Sequence, residues 1–202
     1  MNLNSLALFA AALFVAAVAP GPGVLALVAR VTTEGLRPVL PFLLALWVGE
    51  LIWLVAAVSG LSALALAFHD IFVVLKWLGV AYLCFLAWRM WTCSVGERAE
   101  LPRGKSGLAN FLAGFALTLS NPKVMVFYVA LLPSLVDVRG MTPLGLGKLA
   151  LTALLAIMTA HLAWAFTAAW ARQWLRTSHA RRLANRISAT AMGGAAAAIA
   201  TR

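Results

Sequence analysis

Long apolar runs follow one another along the chain, parted by short polar gaps. A helix needs about 20 such residues to cross the hydrocarbon core of a bilayer. The pattern predicts helix 1 over residues 3–29, helix 2 over 39–67, helix 3 over 71–91, helix 4 over 107–132, helix 5 over 145–170 and helix 6 over 183–200. The longest loop falls at 92–106. Two runs are interrupted from within, helix 1 by Pro20-Gly21-Pro22-Gly23 and helix 4 by Asn121-Pro122-Lys123. The expected fold is an all-α membrane protein, a single transmembrane domain over 1–202 that crosses the bilayer about six times.

The two interruptions divide the chain. Residues 1–91 hold helices 1 to 3, 92–106 form a cytoplasmic loop, and 107–202 hold helices 4 to 6. Pro20 and Pro122 lie at similar depths in the first helix of each half. Three helices per half is an odd number, so the second half must enter the membrane from the opposite face. Two inverted three-helix repeats with broken first helices are a recurring architecture of secondary transporters.

Composition strengthens the membrane reading. Hydrophobic residues make up 63% of the 202 residues and charged residues 11%, against about half and a quarter in soluble domains. The net charge of +10 does not point to nucleic acid, because the basic residues lie in gaps between apolar runs and not along one face. Arg30, Arg37, Arg89, Arg98, Arg103, Lys105, Arg172, Arg176, Arg181, Arg182 and Arg186 fall in the loops 1–2, 3–4 and 5–6. Lys76, Arg139, Lys148 and Arg202 fall on the other side. Positive charge collects on the cytoplasmic side, so both termini are expected to face outward. Trp88, Trp91, Trp170 and Trp174 stand beside the arginines, where indole rings favour the headgroup region. Met1 to Ser5 carry no Lys or Arg, so the first apolar run is expected to be a retained helix and not a signal peptide. Cys84 and Cys93 would lie about 13 Å apart along a helix, beyond disulfide reach, and are expected to be packing residues.

The candidate chemistry lies inside the apolar runs. Pro20 and Pro22 lack an N–H, which frees the carbonyls of Ala16 and Val18, and Gly21 and Gly23 let the backbone turn. Free carbonyls in hydrocarbon persist where neighbouring helices satisfy them or where they line a polar cavity. At the second break Pro122 frees the carbonyl of Thr118, and Asn121 can cap exposed backbone. Lys123 then either draws a carboxylate or extends its stem to the interface. Glu50, in mid-helix 2, must be protonated, paired or facing water. It is either a proton carrier and ammonium partner or half of a structural pair. Ala45 and Gly49 on the same helix form a small-xxx-small pattern suited to close packing. His161 in helix 5 either relays protons or packs through a hydrogen bond. Asp70 and Asp137 are expected at solvated helix ends.

These residues carry a resemblance. Ala19-Pro20-Gly21-Pro22, Gly49-Glu50, Leu75-Lys76-Trp77-Leu78-Gly79-Val80-Ala81-Tyr82-Leu83 with Trp88-Arg89, Asn121-Pro122-Lys123 with Phe127 and Leu132-Pro133, and Asn185-Arg186-Ile187-Ser188 are together similar to the LysE/RhtB family of bacterial amino-acid exporters. The resemblance implies export of amino acids or close derivatives across the bacterial inner membrane, driven by the proton gradient and without a cofactor. The substrate is expected between the breaks, at Pro20, Gly21, Pro22, Gly23, Glu50, Asn121, Pro122 and Lys123, with Glu50 and His161 as candidates for proton coupling. Many family members have Asn after the first Pro-Gly-Pro, where this chain has Gly23. The expected partners are an amino acid, protons and the bilayer, with a second copy of the chain as a further candidate and no nucleic acid. A metal-cation exporter of the same superfamily would need a cluster of acidic, His or Cys ligands, and a membrane thiol oxidoreductase would need a cysteine in each half. A non-transporting assembly or scaffold protein also stays open.

Overall fold

The computed structural model describes residues 3–60, 107–138 and 141–174 continuously, with individual residues between 77 and 92 and between 183 and 197. Every regular element among the described residues is helical. In chain order they are α1 (Leu3–Val18), α2 (Pro22–Glu34), α3 (Leu36–Val58), α4 (Gly107–Leu119), α5 (Pro122–Val126), a π turn (Phe127–Leu131), α6 (Leu132–Leu135) and α7 (Pro143–Trp174). By length and apolarity α3 and α7 can each cross a membrane, as can two bent pairs, α1 with α2 (bent 55°) and α4 with the helical stretch to Leu135 (bent 51°). Helices 3 and 6 of the sequence reading fall mostly outside the described residues, as do Lys76, Asp70, Cys93 and the arginines at 89, 98, 103, 139, 176, 181, 182 and 202.

Both breaks have the same local cause. A residue in extended conformation, Gly21 (φ −136°, ψ −180°) or Asn121 (φ −79°, ψ 107°), precedes a proline that opens the next helix. Proline suits that position because its missing N–H would have no helical partner there. Asn121 also caps its helix, its Oδ1 accepting from the Lys123 N–H at 3.1 Å.

The first loop is much shorter than expected. α2 runs on to Glu34, and α3 begins after Gly35 alone. Gly35 sits at φ +92°, a conformation open to glycine, and its N–H closes on the Val31 carbonyl at 2.9 Å. Arg30 is therefore a helical residue and not part of a cytoplasmic loop, and it is 3% exposed. Its Nη1 donates to Asn110 Oδ1 of α4 at 2.8 Å and approaches Glu34 Oε1 at 3.4 Å, and its guanidinium lies 5.0 Å from the centre of the Phe42 ring. Asn110 Nδ2 donates in turn to the Pro38 carbonyl at 3.0 Å. Arg172 of α7 reaches the Thr33 carbonyl at 3.4 Å, so it too belongs to a helix and binds the end of α2.

α3 and α4 approach closely because glycines leave room. A methyl group at Gly114 would lie 2.7 Å from the Phe42 carbonyl, and one at Gly49 would lie 2.8 Å from the Thr118 side chain. The close face expected from Ala45 and Gly49 is thus the α3–α4 contact. Phe42, Leu27, Leu43, Leu46 and Leu117 fill the core at the Arg30 end. Phe9, Leu13, Leu54, Phe127, Tyr128 and Ile157 fill a second core beyond the breaks. Leu40, Leu44, Ile52 and Val55 of α3 and Leu151, Leu155 and Phe166 of α7 face outward, as befits helices solvated by lipid. Cys84 also faces outward and is not the packing residue expected, while Asp137 is exposed as expected.

Candidate functional site

The two breaks meet. α1 ends at Val18, and the prolines that follow leave its last carbonyls without helical donors. Side chains from distant elements take them up. Trp164 Nε1 of α7 donates to the Val18 carbonyl at 3.1 Å, and Lys123 Nζ donates to the Ala19 carbonyl at 2.5 Å. Lys123 is thus held at the first break. It crosses from the second break to the first and passes over Gly21, where an added methyl would come within 3.3 Å of its Cδ. A methyl there would require the lysine stem to shift by a few tenths of an ångström. At the second break the Thr118 carbonyl is taken up locally, by the Asn121 N–H at 3.2 Å.

Glu50 projects from α3 into the same region and is 6% exposed. Tyr128 Oη donates to its Oε2 at 3.3 Å. His161 Nε2 of α7 stands 3.9 Å from Oε1, beyond hydrogen-bond distance. His161 is itself 5% exposed, and its Nδ1 is buried without a partner. Among the described residues neither imidazole nitrogen makes a hydrogen bond.

A pocket holds these groups together. Gly21, Gly23, Glu50, Asn121, Lys123 and His161 all line it, as do Thr118 and Tyr128, and the rest of its wall is apolar, including Leu13, Leu46 and Phe127. It contains about 490 Å³ of empty space, its open mouth included. Pro20, Pro22 and Pro122 shape the breaks without lining the pocket. One carboxylate and one ammonium at such a site complement the opposite charges of a small zwitterion, and their effect is strong where water is scarce. Among the described residues no three of His, Cys, Asp and Glu gather as a metal site would require.

Tyr128, Trp164 and Asn110 were missed by the sequence reading. Tyr128 follows Asn121 and Val124 at the i, i+3, i+7 spacing of one helix face, and a buried phenol needs a partner. That signal was present in the sequence. The π turn at Phe127–Leu131, a feature that recurs at functional sites, was not.

A profile of the LysE type translocator family matches residues 14–202, a span that includes both breaks, Glu50 and His161. A chemotactic transduction protein, ChpE, of Pseudomonas aeruginosa is 33% identical over 178 residues, covering 85% of each chain. An uncharacterized membrane protein of Synechocystis is 32% identical over 166 residues, covering 82% of this chain and 80% of its own. A leucine efflux protein of Klebsiella pneumoniae is 27% identical over 143 residues, covering 70% and 67%. No solved structure matches. With a profile match across nearly its whole length, this multi-pass membrane protein belongs to the LysE type translocator family.

Proposed function

We propose that the chain is a secondary transporter that exports amino acids or close derivatives across the bacterial inner membrane in exchange for protons. The observation that carries this reading is the single pocket in which Glu50 and Lys123 face the broken ends of α1 and α2. Similarity to efflux proteins whose names specify leucine and cysteine or O-acetylserine supports the substrate class. The α-carboxylate docks on Lys123 and on the N–H groups of the first turn of α2, whose N-terminus carries no side-chain cap. The α-ammonium docks on Glu50. A proton on Glu50 and a substrate ammonium beside it are mutually exclusive, and that exclusion is the coupling. His161 relays the proton. Two inverted three-helix halves rock about this site, with both termini outward.

Efflux from proteoliposomes with an imposed pH gradient tests the reading. Wild-type protein is expected to move a labelled neutral amino acid against its gradient, and Glu50→Gln to abolish that movement. A second reading, a membrane component of a signalling assembly, is favoured by the similarity to the chemotactic transduction protein. It predicts no movement of any amino acid by the wild type.

A further inference from the structure

The glycines of the pocket region differ in what they would tolerate. An added methyl at Gly21 would press on Lys123 at 3.3 Å, and one at Gly49 would clash with Thr118 at 2.8 Å. At Gly23 the nearest atoms would be Leu46 Cδ2 at 3.8 Å and Asn121 Nδ2 at 4.0 Å, ordinary contact distances. The fold therefore has room for a side chain at Gly23. That room belongs to the pocket, because Gly23, Leu46 and Asn121 all line it.

We propose that Gly23 sets the size of the compartment that receives the substrate side chain, and that this compartment selects neutral aliphatic side chains over charged ones. The proposal rests on the exporter reading and deepens it by naming the substrate class. Once Lys123 and Glu50 hold the two backbone charges of an amino acid, the described residues of the pocket offer no second carboxylate for a basic side chain and no second lysine or arginine for an acidic one. Leu13, Ala17, Val24, Leu46 and Phe127 supply most of its apolar wall, each less than a tenth exposed. An unpaired charge placed against them would lose its hydration with nothing in return. A larger aliphatic side chain gains contact area, up to the limit that the bare backbone at Gly23 allows.

The test is counterflow of labelled leucine, alanine and lysine into proteoliposomes, each holding the same unlabelled amino acid, with wild type and Gly23→Ala. Alanine favours a helix over glycine, so the substitution does not threaten folding, and an unchanged melting temperature verifies this. Wild type is expected to move leucine and alanine at least tenfold faster than lysine. In Gly23→Ala the ratio of leucine to alanine movement is expected to fall about tenfold, the lower end of what one methylene achieves in an apolar pocket. Gly23→Val is expected to lower it further. An unchanged ratio, or equal loss for both substrates, overturns the role of Gly23, and lysine movement as fast as that of leucine overturns the substrate class. No movement of any of the three by wild type overturns the exporter reading itself, and this proposal with it.

Discussion

Arg30 and Glu50 are both buried charges inside the bundle, yet their surroundings are opposite. Arg30 has an acidic partner one turn along its own helix, an amide from α4 and an aromatic face beneath it. Glu50 has one phenol at 3.3 Å and an imidazole at 3.9 Å, and among the described residues no lysine or arginine closes an ion pair with it. Lys123 shares its pocket but gives its ammonium to the Ala19 carbonyl. The difference separates structure from function. A charge held by partners on several helices keeps those helices in register, while a charge held by few can exchange one partner for another.

The largest effect that could break this comparison lies at Arg30. Arg30→Met leaves Glu34 and Asn110 buried without the guanidinium, at a cost of about 3–5 kcal/mol. Thermal unfolding in detergent is expected to show a large fall in melting temperature, partly recovered by adding Glu34→Gln. A variant as stable as wild type would remove the structural role of the cluster. Next is Glu50→Gln, which keeps the shape and the Tyr128 contact. Export is expected to fall at least a hundredfold with the melting temperature held or raised. A transport-competent Glu50→Gln would make Glu50 a structural residue like Arg30.

Lys123→Ala is expected to do less, because it removes one contact to the substrate and one to a backbone carbonyl. Ligand-induced stabilisation should fall about tenfold in affinity for an amino acid and hardly at all for its methyl ester, since only the carboxylate gains from the ammonium. Equal losses for acid and ester would leave Lys123 a fastener of the first break and nothing more. The smallest effect is expected for Tyr128→Phe, which removes one hydrogen bond to Glu50, typically worth about 1 kcal/mol. A shift in the pH profile of efflux, with kcat reduced severalfold, would mark Tyr128 as a positioning residue for Glu50. An unaltered profile would show that Glu50 works without it.

The sequence made the breaks and the close α3–α4 face legible because proline, asparagine and glycine act within a few residues of where they stand. Long apolar runs such as α3 and α7 are legible for a related reason, since hydropathy acts on run length. Arg30 was misread because a basic residue near the end of an apolar run resembles a loop residue. The Arg30–Glu34 spacing of four was the available sign of a helix continuing past it. Lys123 was recognised as unusual, but its partner lies 104 residues away, and no local pattern could show that the two breaks touch. Trp164 was hidden for the same reason, since its partner Val18 lies 146 residues away.

α7 carries a consequence that concerns the lipid. Its 32 residues make a rod roughly 48 Å long at 1.5 Å per residue, while the hydrocarbon core is about 30 Å thick. The apolar stretch between the exposed Lys148 and the half-buried Arg172 alone spans roughly 36 Å. A rod of that length must tilt, or gather thicker bilayer around it. Its lean is constrained at one end by the Arg172 contact to the Thr33 carbonyl and about two turns before it by the Trp164 contact to the Val18 carbonyl. Acyl-chain length thereby becomes a lever on the first break. In thin membranes α7 must lean further, and the strain falls on the indole that closes the end of α1.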